Sequence, residues 1–306
     1  MKAEILKILR SCGDGAPADQ LSAALGISRV SLEKHIDQLQ DSGYQINLTA
    51  GGYRLVNSPD ILFPWEYQGA AANILYFPEV TSTMDIARQQ ARNNCPDLTV
   101  VIAGRQTRGR GRLKRRWLSD DGGLYFTMVL RPSIPVQSCF KVNFLASLTL
   151  TRVIREMLGI DAMVKWPNDI LVADRKISGM ISELEAEAQR VFFINVGIGI
   201  NVNNDPTAAE PGASSLKKIA GRAISRKDLL TRFLAAFGDR MQNADFEDVI
   251  SEWKQYTVTL GRRVRIVTHR EQSEGLALDV DENGALVLEQ ADGQRKKIIY
   301  GDCFIV

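Results

Sequence analysis

The sequence predicts an α+β multidomain protein with an N-terminal winged helix-turn-helix, a central mixed-sheet α/β domain and a small C-terminal β-barrel. Three observations predict it. Residues 1–60 carry short helical patterns, residues 65–255 alternate strand and helix patterns, and residues 257–306 carry short strands with tight turns. With 306 residues, 45% of them hydrophobic, the chain is long enough for two or three domains with apolar cores.

The N-terminal domain, residues 1–60, begins with three predicted helices. The segment "AEILKILRSC" places its apolar residues on one helical face, "PADQLSAALG" predicts a second helix that stops at Gly26, and "SRVSLEKHIDQLQDSG" predicts a third that begins at Ser28. The segment "YQINLTAGGYRLV" then predicts a hairpin with Gly51 and Gly52 at its turn. A hairpin after three short helices is typical of a winged helix-turn-helix, and "NSPDILFP" is the expected linker out of it.

The third helix is the expected DNA-reading element. Leu32, Ile36 and Leu39 are predicted to point inward, which leaves a polar and basic outer face for the major groove. The residues predicted to contact DNA are Ser28, Arg29, Ser31, Lys34 and His35. A helical interaction module that touches no DNA is the alternative, because this pattern is common.

The central domain, residues 65–255, mixes strands and helices. A helical segment, "TSTMDIARQQARNN", precedes two apolar strand segments, "LTVVIAG" and "GGLYFTMVL", and a long apolar helix follows in "FKVNFLASLTLTRVIREMLG". Further strands with tight turns are predicted in "AMVKWPNDILVADRKISGMISELE" and "RVFFINVGIGINV". This order favours a mixed sheet over a parallel βαβ series. In the last domain, Asn283-Gly284 and Asp292-Gly293 predict hairpin turns.

The connection between the two apolar strands is strongly basic and contains no acid. Its cations are Arg105, Arg108, Arg110, Arg112, Lys114, Arg115 and Arg116. The whole chain has a net charge of only +2, so the rest of the chain would be negative without this loop (2 − 7 = −5). Such local basicity favours capture of a small anion. A solvated basic segment or a nucleic-acid patch is the alternative, which the flanking strands disfavour.

Several classes of chemistry are disfavoured by composition. The only histidines are His35 and His269, which argues against a Ser-His-Asp or Cys-His mechanism in the central domain. The four cysteines form no C-x-x-C pair, so neither a zinc knuckle nor a disulfide framework is predicted, and a reducing cytoplasm is expected. No apolar run reaches the roughly 18 residues of a membrane helix, and "MKAEILKILRSCGDG" is unlike a signal peptide. Arginines, lysines and glycine turns instead favour reactions driven by positioning and by neutralising phosphate charge.

Four motifs carry a family resemblance. Gln106 precedes "GRGR" and Trp117 follows it, and "KWPND", "DRKISGM" and "GIGIN" come later in this order. These segments closely resemble the biotin protein ligases, whose catalytic domain is related to the lipoate ligases. With the winged helix-turn-helix in front, the chain resembles, essentially end to end, the bifunctional biotin ligases that also repress a biotin operon.

The resemblance implies a class II biotin/lipoate ligase-like central domain and an SH3-like C-terminal barrel. It implies that biotin and MgATP are converted to biotinyl-5′-AMP, and that biotin then passes to a lysine of a biotin carboxyl carrier domain, of acetyl-CoA carboxylase or a related carboxylase. ATP and Mg²⁺ are then co-substrate and metal, and no permanently bound cofactor is expected. The other expected partners are operator DNA and a second copy of the chain, in a homodimer promoted by ligand.

The resemblance also implies the site residues. Hydroxyl, amide and cationic groups would hold biotin, its carboxylate and the α-phosphate: Ser82, Thr83, Gln106, Gly109, Arg110, Arg112 and Lys176. The catalytic residues among these are Lys176, Arg110 and Arg112. The nucleotide and the departing pyrophosphate would meet Arg115, Arg116, Trp117, Lys165, Asn168 and Asn201. Asp169 is the best carboxylate for a Mg²⁺ contact, with a simple turn residue as an equal alternative.

Two positions depart from the family pattern. Lys114 stands where the basic loop usually has a second glycine, and Met84 stands where many members have asparagine. If the backbone at Lys114 is left-handed, a lysine there costs about 1 kcal/mol or more and disfavours loop closure. If Lys114 instead takes an ordinary conformation, its ammonium adds a phosphate contact. Two other functions stay open: a DNA-binding regulator that senses biotin or its adenylate without transferring it, and a lipoate-type ligase, which Trp117 and the "GRGR" loop disfavour.

Overall fold

The computed structural model describes residues 1–67, 73–243 and 246–306. The chain divides into two compact units, Met1–Gly69 and Ala70–Val306. None of the helices in the described part of the chain is both long enough and apolar enough to span a membrane.

The first unit contains three helices and a hairpin. Its elements are α1 (Lys2–Ser11), α2 (Ala18–Leu25), α3 (Arg29–Asp41), β1 (Gln45–Thr49) and β2 (Gly52–Asn57). Helix α2 ends at Gly26, which has a φ of 65°, a left-handed conformation that glycine adopts readily because it has no Cβ. Helix α3 begins after Ser28, whose Oγ accepts a hydrogen bond from the Ser31 amide at 3.2 Å. A single 3-10 turn follows at Pro64–Glu66.

The inner face of α3 is as the sequence predicted. Leu32, Ile36 and Leu39 are all buried in the core of this unit. The hairpin turn is one residue earlier than predicted, because Thr49 pairs with Gly52 and leaves Ala50-Gly51 as the loop. Gly52 is the first residue of β2 and lies close to the backbone of Ala16. A Cβ at Gly52 would lie 2.1 Å from the Ala16 carbonyl oxygen.

The second unit is built on a mixed sheet with α4 (Thr83–Arg92) and α5 (Phe140–Leu158). Its strands are β3 (Asn73–Val80), β4 (Thr99–Gln106), β5 (Leu124–Leu130), β6 (Ala162–Lys165), β7 (Asp169–Val172), β8 (Arg175–Glu187) and β9 (Arg190–Ile200). In the described chain they lie in the order β3-β4-β5-β9-β8-β7-β6, with β3 and β4 parallel and the other pairs antiparallel. The predicted mixed sheet is confirmed.

The core of this unit lies around the middle of the sheet. Every residue of β5 is buried, which explains why its sequence is apolar at every position but Thr127 rather than alternating. Helix α5 packs beside α7 (Arg226–Gln242) and α8 (Val249–Lys254), with Phe144 and Trp253 in edge contact at 5.1 Å. A short α6 (Leu216–Ala220) precedes them. The basic segment connects the antiparallel neighbours β4 and β5, as predicted.

A small antiparallel sheet completes the second unit. Its strands are β10 (Arg263–Val267), β11 (Gln272–Val280), β12 (Leu286–Glu289), β13 (Arg295–Ile298) and β14 (Asp302–Ile305), in the order β13-β12-β11-β10-β14. The buried Trp166 donates its indole N–H to the carbonyl oxygen of Gly284 at 3.0 Å. This bond ties the small sheet to the β6–β7 turn, next to the cavity described below.

Candidate functional site

A cavity of about 370 Å³ lies in the second unit. It is lined mainly by the start of α4, the basic loop, the β6–β7 turn, one face of β8 and β9, and the start of β14. Its wall includes nearly every residue that the sequence predicted for biotin, nucleotide or metal: Ser82, Thr83, Gln106, Arg110, Arg112, Arg115, Arg116, Trp117, Lys165, Asn168, Asp169, Lys176 and Asn201.

Gly109 is the exception, because it is not part of the cavity wall. Its carbonyl oxygen accepts a hydrogen bond from the Trp117 amide at 3.0 Å, and a Cβ at Gly109 would lie 2.3 Å from the Trp117 carbonyl oxygen. In this structure glycine lets the two limbs of the basic loop approach each other, and a direct biotin contact by Gly109 stays a prediction.

A glycine pair forms the floor beneath Trp117. Gly179 of β8 and Gly199 of β9 face each other across the strands. A Cβ on Gly199 would lie 2.4 Å from the Trp117 Nε1 atom, and one on Gly179 would lie 3.0 Å from its ring. The indole therefore rests on bare backbone, and its buried N–H has no hydrogen-bond partner among the described residues.

Polar side chains close one end of the cavity. The Thr83 amide donates to Gln106 Oε1 at 2.8 Å, and Gln106 Nε2 donates to Ser119 Oγ at 2.9 Å. Thr127 and Thr83 share a hydroxyl hydrogen bond of 2.8 Å. Ser82 Oγ is buried and has no partner within the described chain. A free hydroxyl beside an ordered amide suits a ligand with a compact polar head, since buried polar atoms are otherwise paired.

Two lysines flank Asp169 at the start of β7. The Lys176 Nζ atom lies 2.8 Å from Asp169 Oδ1 and 5.3 Å from the Trp117 ring centroid, while Lys165 Nζ lies 3.7 Å from Asp169 Oδ2. Asp169 thus holds the Lys176 ammonium at the cavity wall. A cation fixed there can stabilise negative charge that develops on a bound carboxyl or phosphate group.

The same ion pairs bear on the predicted magnesium contact. The Asp169 carboxylate already faces two ammonium groups, and the described residues include no group of three or more His, Cys, Asp or Glu side chains placed to hold a metal ion. They do not fit a Mg²⁺ ion held by protein alone. Magnesium usually binds through one or two carboxylates and substrate phosphates, so a contact with Asp169 stays a prediction.

Arg112 is partly buried and bonded to protein groups at both of its terminal nitrogens. Its Nη1 donates to Asn168 Oδ1 at 2.8 Å and its Nη2 donates to the Gly301 carbonyl oxygen at 3.1 Å. Burial lowers the pKa of its guanidinium, although the neighbouring carboxylates Asp302 and Asp169 oppose that change. Asn168 is itself held by a hydrogen bond to the Met180 carbonyl oxygen. Arg112 is therefore held in place by groups of the protein itself.

Three more loop arginines have partners within the protein. Arg115 lies 2.6 Å from Asp302, and Arg116 donates to the Thr107 carbonyl oxygen at 2.9 Å. Arg110, predicted at the carboxylate and α-phosphate, pairs with Asp85 at 3.0 Å and Glu183 at 2.5 Å. A phosphate would therefore have to exchange with these partners or add to them.

The positive φ in the basic loop lies at Leu113, with a φ of 52°. The condition under which Lys114 would oppose loop closure, a left-handed backbone at that residue, is therefore not met in the described backbone. The side chain of Lys114 lies outside the described residues. Asn201, predicted at the nucleotide, is buried, and its Oδ1 accepts a hydrogen bond from Asn204 Nδ2 at 2.9 Å.

The predicted DNA-contacting residues lie on α3 or at its cap in the first unit. Arg29 and Lys34 are exposed, and Ser28 is exposed while it caps the helix. Ser31 and His35 are half-buried, and His35 Nδ1 is buried without a partner in the described chain. Fewer of the predicted DNA-contacting side chains are therefore fully exposed on α3 than the sequence pattern indicated. Helix α3 also presents Val30, 76% exposed, which the polar pattern did not single out.

Sequence reasoning missed several cavity contacts. Ser119 and Asp302 hold Gln106 and Arg115, and neither belongs to a recognisable motif. Gly179 and Gly199 stand within quoted motifs, and the alternation of glycines in "GIGIN" on a strand could have indicated a bare sheet face. Nothing in the local sequence around Asp302 indicates that it faces the basic loop.

Three family models match the chain. They are the biotin/lipoate A/B protein ligase family over residues 76–201, the biotin protein ligase C terminal domain over residues 259–306, and an HTH domain over residues 2–54. Among solved structures, the biotin protein ligase from Aquifex aeolicus in complex with biotin and ATP matches with a TM-score of 0.65 and 28% identity. That match covers 76% of this chain and 98% of the other.

Curated relatives match over nearly the full length. The bifunctional ligase/repressor BirA of Bacillus subtilis (strain 168) is 33% identical, with 97% of this chain and 96% of the relative covered. The bifunctional ligase/repressor BirA of Escherichia coli (strain K12) is 28% identical, with 95% and 92% covered. The chain therefore belongs to the bifunctional ligase/repressor branch of the biotin/lipoate A/B protein ligase family.

Proposed function

We propose that this protein is a biotin–[biotin carboxyl carrier protein] ligase that makes biotinyl-5′-AMP from biotin and ATP and transfers biotin to a carrier lysine. We propose also that it represses transcription in response to biotin, by binding operator DNA as a ligand-promoted homodimer. Family membership supports both activities. The observation that best supports the ligase activity is the cavity itself, which has a polar end, a glycine floor and the two cationic side chains of Lys176 and Arg112 in its wall.

The cavity suits a ligand with a small polar head, an apolar middle and an anionic tail. Ser82, Thr83 and Gln106 offer hydroxyl and amide groups at one end, where the ureido ring of biotin would bind. Trp117 and the glycine floor offer an apolar surface next to it. Lys176 and Arg112 supply positive charge where the carboxylate and the α-phosphate would meet.

The reaction would proceed in two displacements. A carboxylate oxygen of biotin attacks the α-phosphorus of ATP, and pyrophosphate leaves with the electrons of the broken P–O bond. The carrier lysine, as a free amine, then attacks the acyl carbon; AMP leaves with the electrons of the C–O bond, and the amine loses a proton. Negative charge grows next to Lys176 in both steps, so a fixed ammonium there lowers both barriers.

Magnesium is expected to arrive with ATP, bound mainly by its phosphates. The residues near the nucleotide would be Arg115, Arg116, Trp117, Lys165, Asn168 and Asn201, all of which line the cavity. None of these groups forms a covalent bond to the substrate, so no covalent enzyme intermediate is required.

The ligase activity is tested by incubation with biotin, MgATP and a biotin carrier domain, followed by intact mass measurement of the carrier. A mass gain of one biotin supports the proposal. Adenylate formation without any transfer would instead favour a regulator that only senses biotin or its adenylate. The same assay with lipoate in place of biotin tests the lipoate-type alternative, and preferential lipoate transfer would contradict the proposal.

The repressor activity rests on α3. The exposed Arg29 and Lys34 suit phosphate and base contacts in a major groove. Protein lacking residues 1–60 should lose sequence-specific DNA binding and keep some biotinylation. Operator affinity should rise when biotin and ATP are added, because a loop ordered by ligand can complete a subunit contact. Equal affinity with and without ligand would contradict this coupling.

A further inference from the structure

Four charged side chains meet at the outer edge of the cavity. The Arg110 guanidinium lies between Asp85, in the first turn of α4, at 3.0 Å and Glu183 of β8 at 2.5 Å. Arg88 of α4 reaches the same Glu183 at 2.5 Å and Asp85 at 3.9 Å. We call this cluster of Asp85, Arg88, Arg110 and Glu183 the clasp. It joins the basic loop to a helix and to a central strand.

The clasp contacts the loop beside the backbone hydrogen bonds that join its two limbs. Next to Arg110, the Gly109 carbonyl oxygen accepts from the Trp117 amide at 3.0 Å, and the Gly111 amide donates to the Arg115 carbonyl oxygen at 2.8 Å. Arg110 itself forms a β-bridge with Arg116. The two limbs of the loop are thus joined by backbone pairing. Contacts that fix the position of Arg110 therefore also restrict Trp117, which covers the glycine floor.

Arg110 lines the cavity, whereas neither of the two acids, Asp85 and Glu183, does. Their charge is nonetheless well placed, because the loop concentrates cations whose mutual repulsion opposes a closed conformation. Two carboxylates beside one of these cations reduce that repulsion and fix the direction of its side chain.

We propose that Asp85 and Glu183 are positioning residues that hold Arg110, and through it the basic loop and Trp117, over the cavity, so that they set how long biotinyl-5′-AMP is retained. This inference rests on the proposed function. Arg110 then acts first as the anchor of the loop, and its positive charge reaches the ligand from that anchored position.

The test is the double variant Asp85→Asn and Glu183→Gln, which keeps the shape of both side chains and removes their charge. The matched control is Glu185→Gln, because the Arg92–Glu185 pair, at 2.8 Å, joins the same helix and strand without touching the loop. Two readouts are used: the rate of tryptic cleavage within the basic loop of the ligand-free protein, and the dissociation of preformed biotinyl-5′-AMP after a chase with excess biotin.

We expect the double variant to raise both rates about fivefold, since the pairs are half-exposed and modest individually but act as a network. Single-turnover transfer from adenylate that is already bound should change by less than about twofold, because Lys176 and Arg112 are untouched. The control variant should match wild type in every readout. Tryptic cleavage outside the loop and the midpoint of unfolding report any general loss of structure.

The possible outcomes distinguish the proposed role of the clasp from the proposed ligase function. The proposed role of the clasp would be refuted if the wild type is active and the double variant shows unchanged rates of loop cleavage and adenylate dissociation. Slower dissociation would also overturn it, because it would show that the acids compete with the ligand for Arg110. Failure of the wild-type protein to make adenylate would refute the proposed function instead, and the cleavage rates of the ligand-free protein would still test the clasp.

Discussion

Replacement of Lys176 by alanine tests the chemistry of the cavity most directly. The Lys176 ammonium is fixed by Asp169 at 2.8 Å and faces the cavity with its side chain about one-third exposed. At about 4 Å and an effective dielectric constant of about 20, one unit charge stabilises another by about 4 kcal/mol. Allowing for partial solvent screening, we expect a loss of about 3 kcal/mol in the transition state, or on the order of 10²-fold in rate.

The fold should tolerate this change. Asp169 would keep Lys165 at 3.7 Å, so its carboxylate would not be left as an isolated charge. Biotin should still bind, because Ser82, Thr83 and Gln106 are untouched.

The assay is pyrophosphate release under saturating biotin and ATP, with biotin affinity measured separately by calorimetry. Lys176→Arg is the companion variant, because it keeps the charge but changes the position of the cation, and it should retain more activity than the alanine variant. Pyrophosphate release at the wild-type rate in Lys176→Ala would refute the assigned role. Loss of biotin binding together with activity would show that Lys176 binds the ground state rather than the transition state.

Three further changes test the cavity floor, the loop backbone and the contact between the sheets. Gly199→Ala would place a Cβ 2.4 Å from the Trp117 indole nitrogen. We therefore expect the indole to be displaced and the affinity for biotin to fall at least about tenfold. An unchanged affinity, measured by calorimetry, would contradict the role of the glycine floor in supporting Trp117. Leu113→Gly should relieve the left-handed backbone (φ 52°) and slow biotinyl-5′-AMP release about threefold, and faster release in the chase assay would show that the strain does not oppose closure. Trp166→Phe would leave the Gly284 carbonyl oxygen without its donor and should lower the free energy of unfolding by about 1–3 kcal/mol, so an unchanged denaturation midpoint would show that this bond does not stabilise the contact.

Local patterns in the sequence were sufficient for many elements. The inward face of α3, the end of α2 at Gly26 and the strands around the basic loop follow from periodicity and turn residues, which act within a few positions along the chain. The hairpin turn was displaced by one residue, because the close approach of Ala16 makes Gly52 a strand residue. A left-handed backbone was considered at Lys114, whereas the positive φ lies at Leu113, because a family glycine marks a turn without specifying which residue has the positive φ.

The sequence by itself determined the family, the order of the domains and a set of site residues nearly all of which lie at the cavity wall, because four motifs lie in register and each depends on nearby residues. Only the tertiary structure decided how those residues are held. Asp302 at Arg115, Gly301 at Arg112, and the acids Asp85 and Glu183 at Arg110 come from segments far apart in the chain. Charges attract through space, and no local pattern indicates which distant carboxylate will lie within 3 Å of a given arginine.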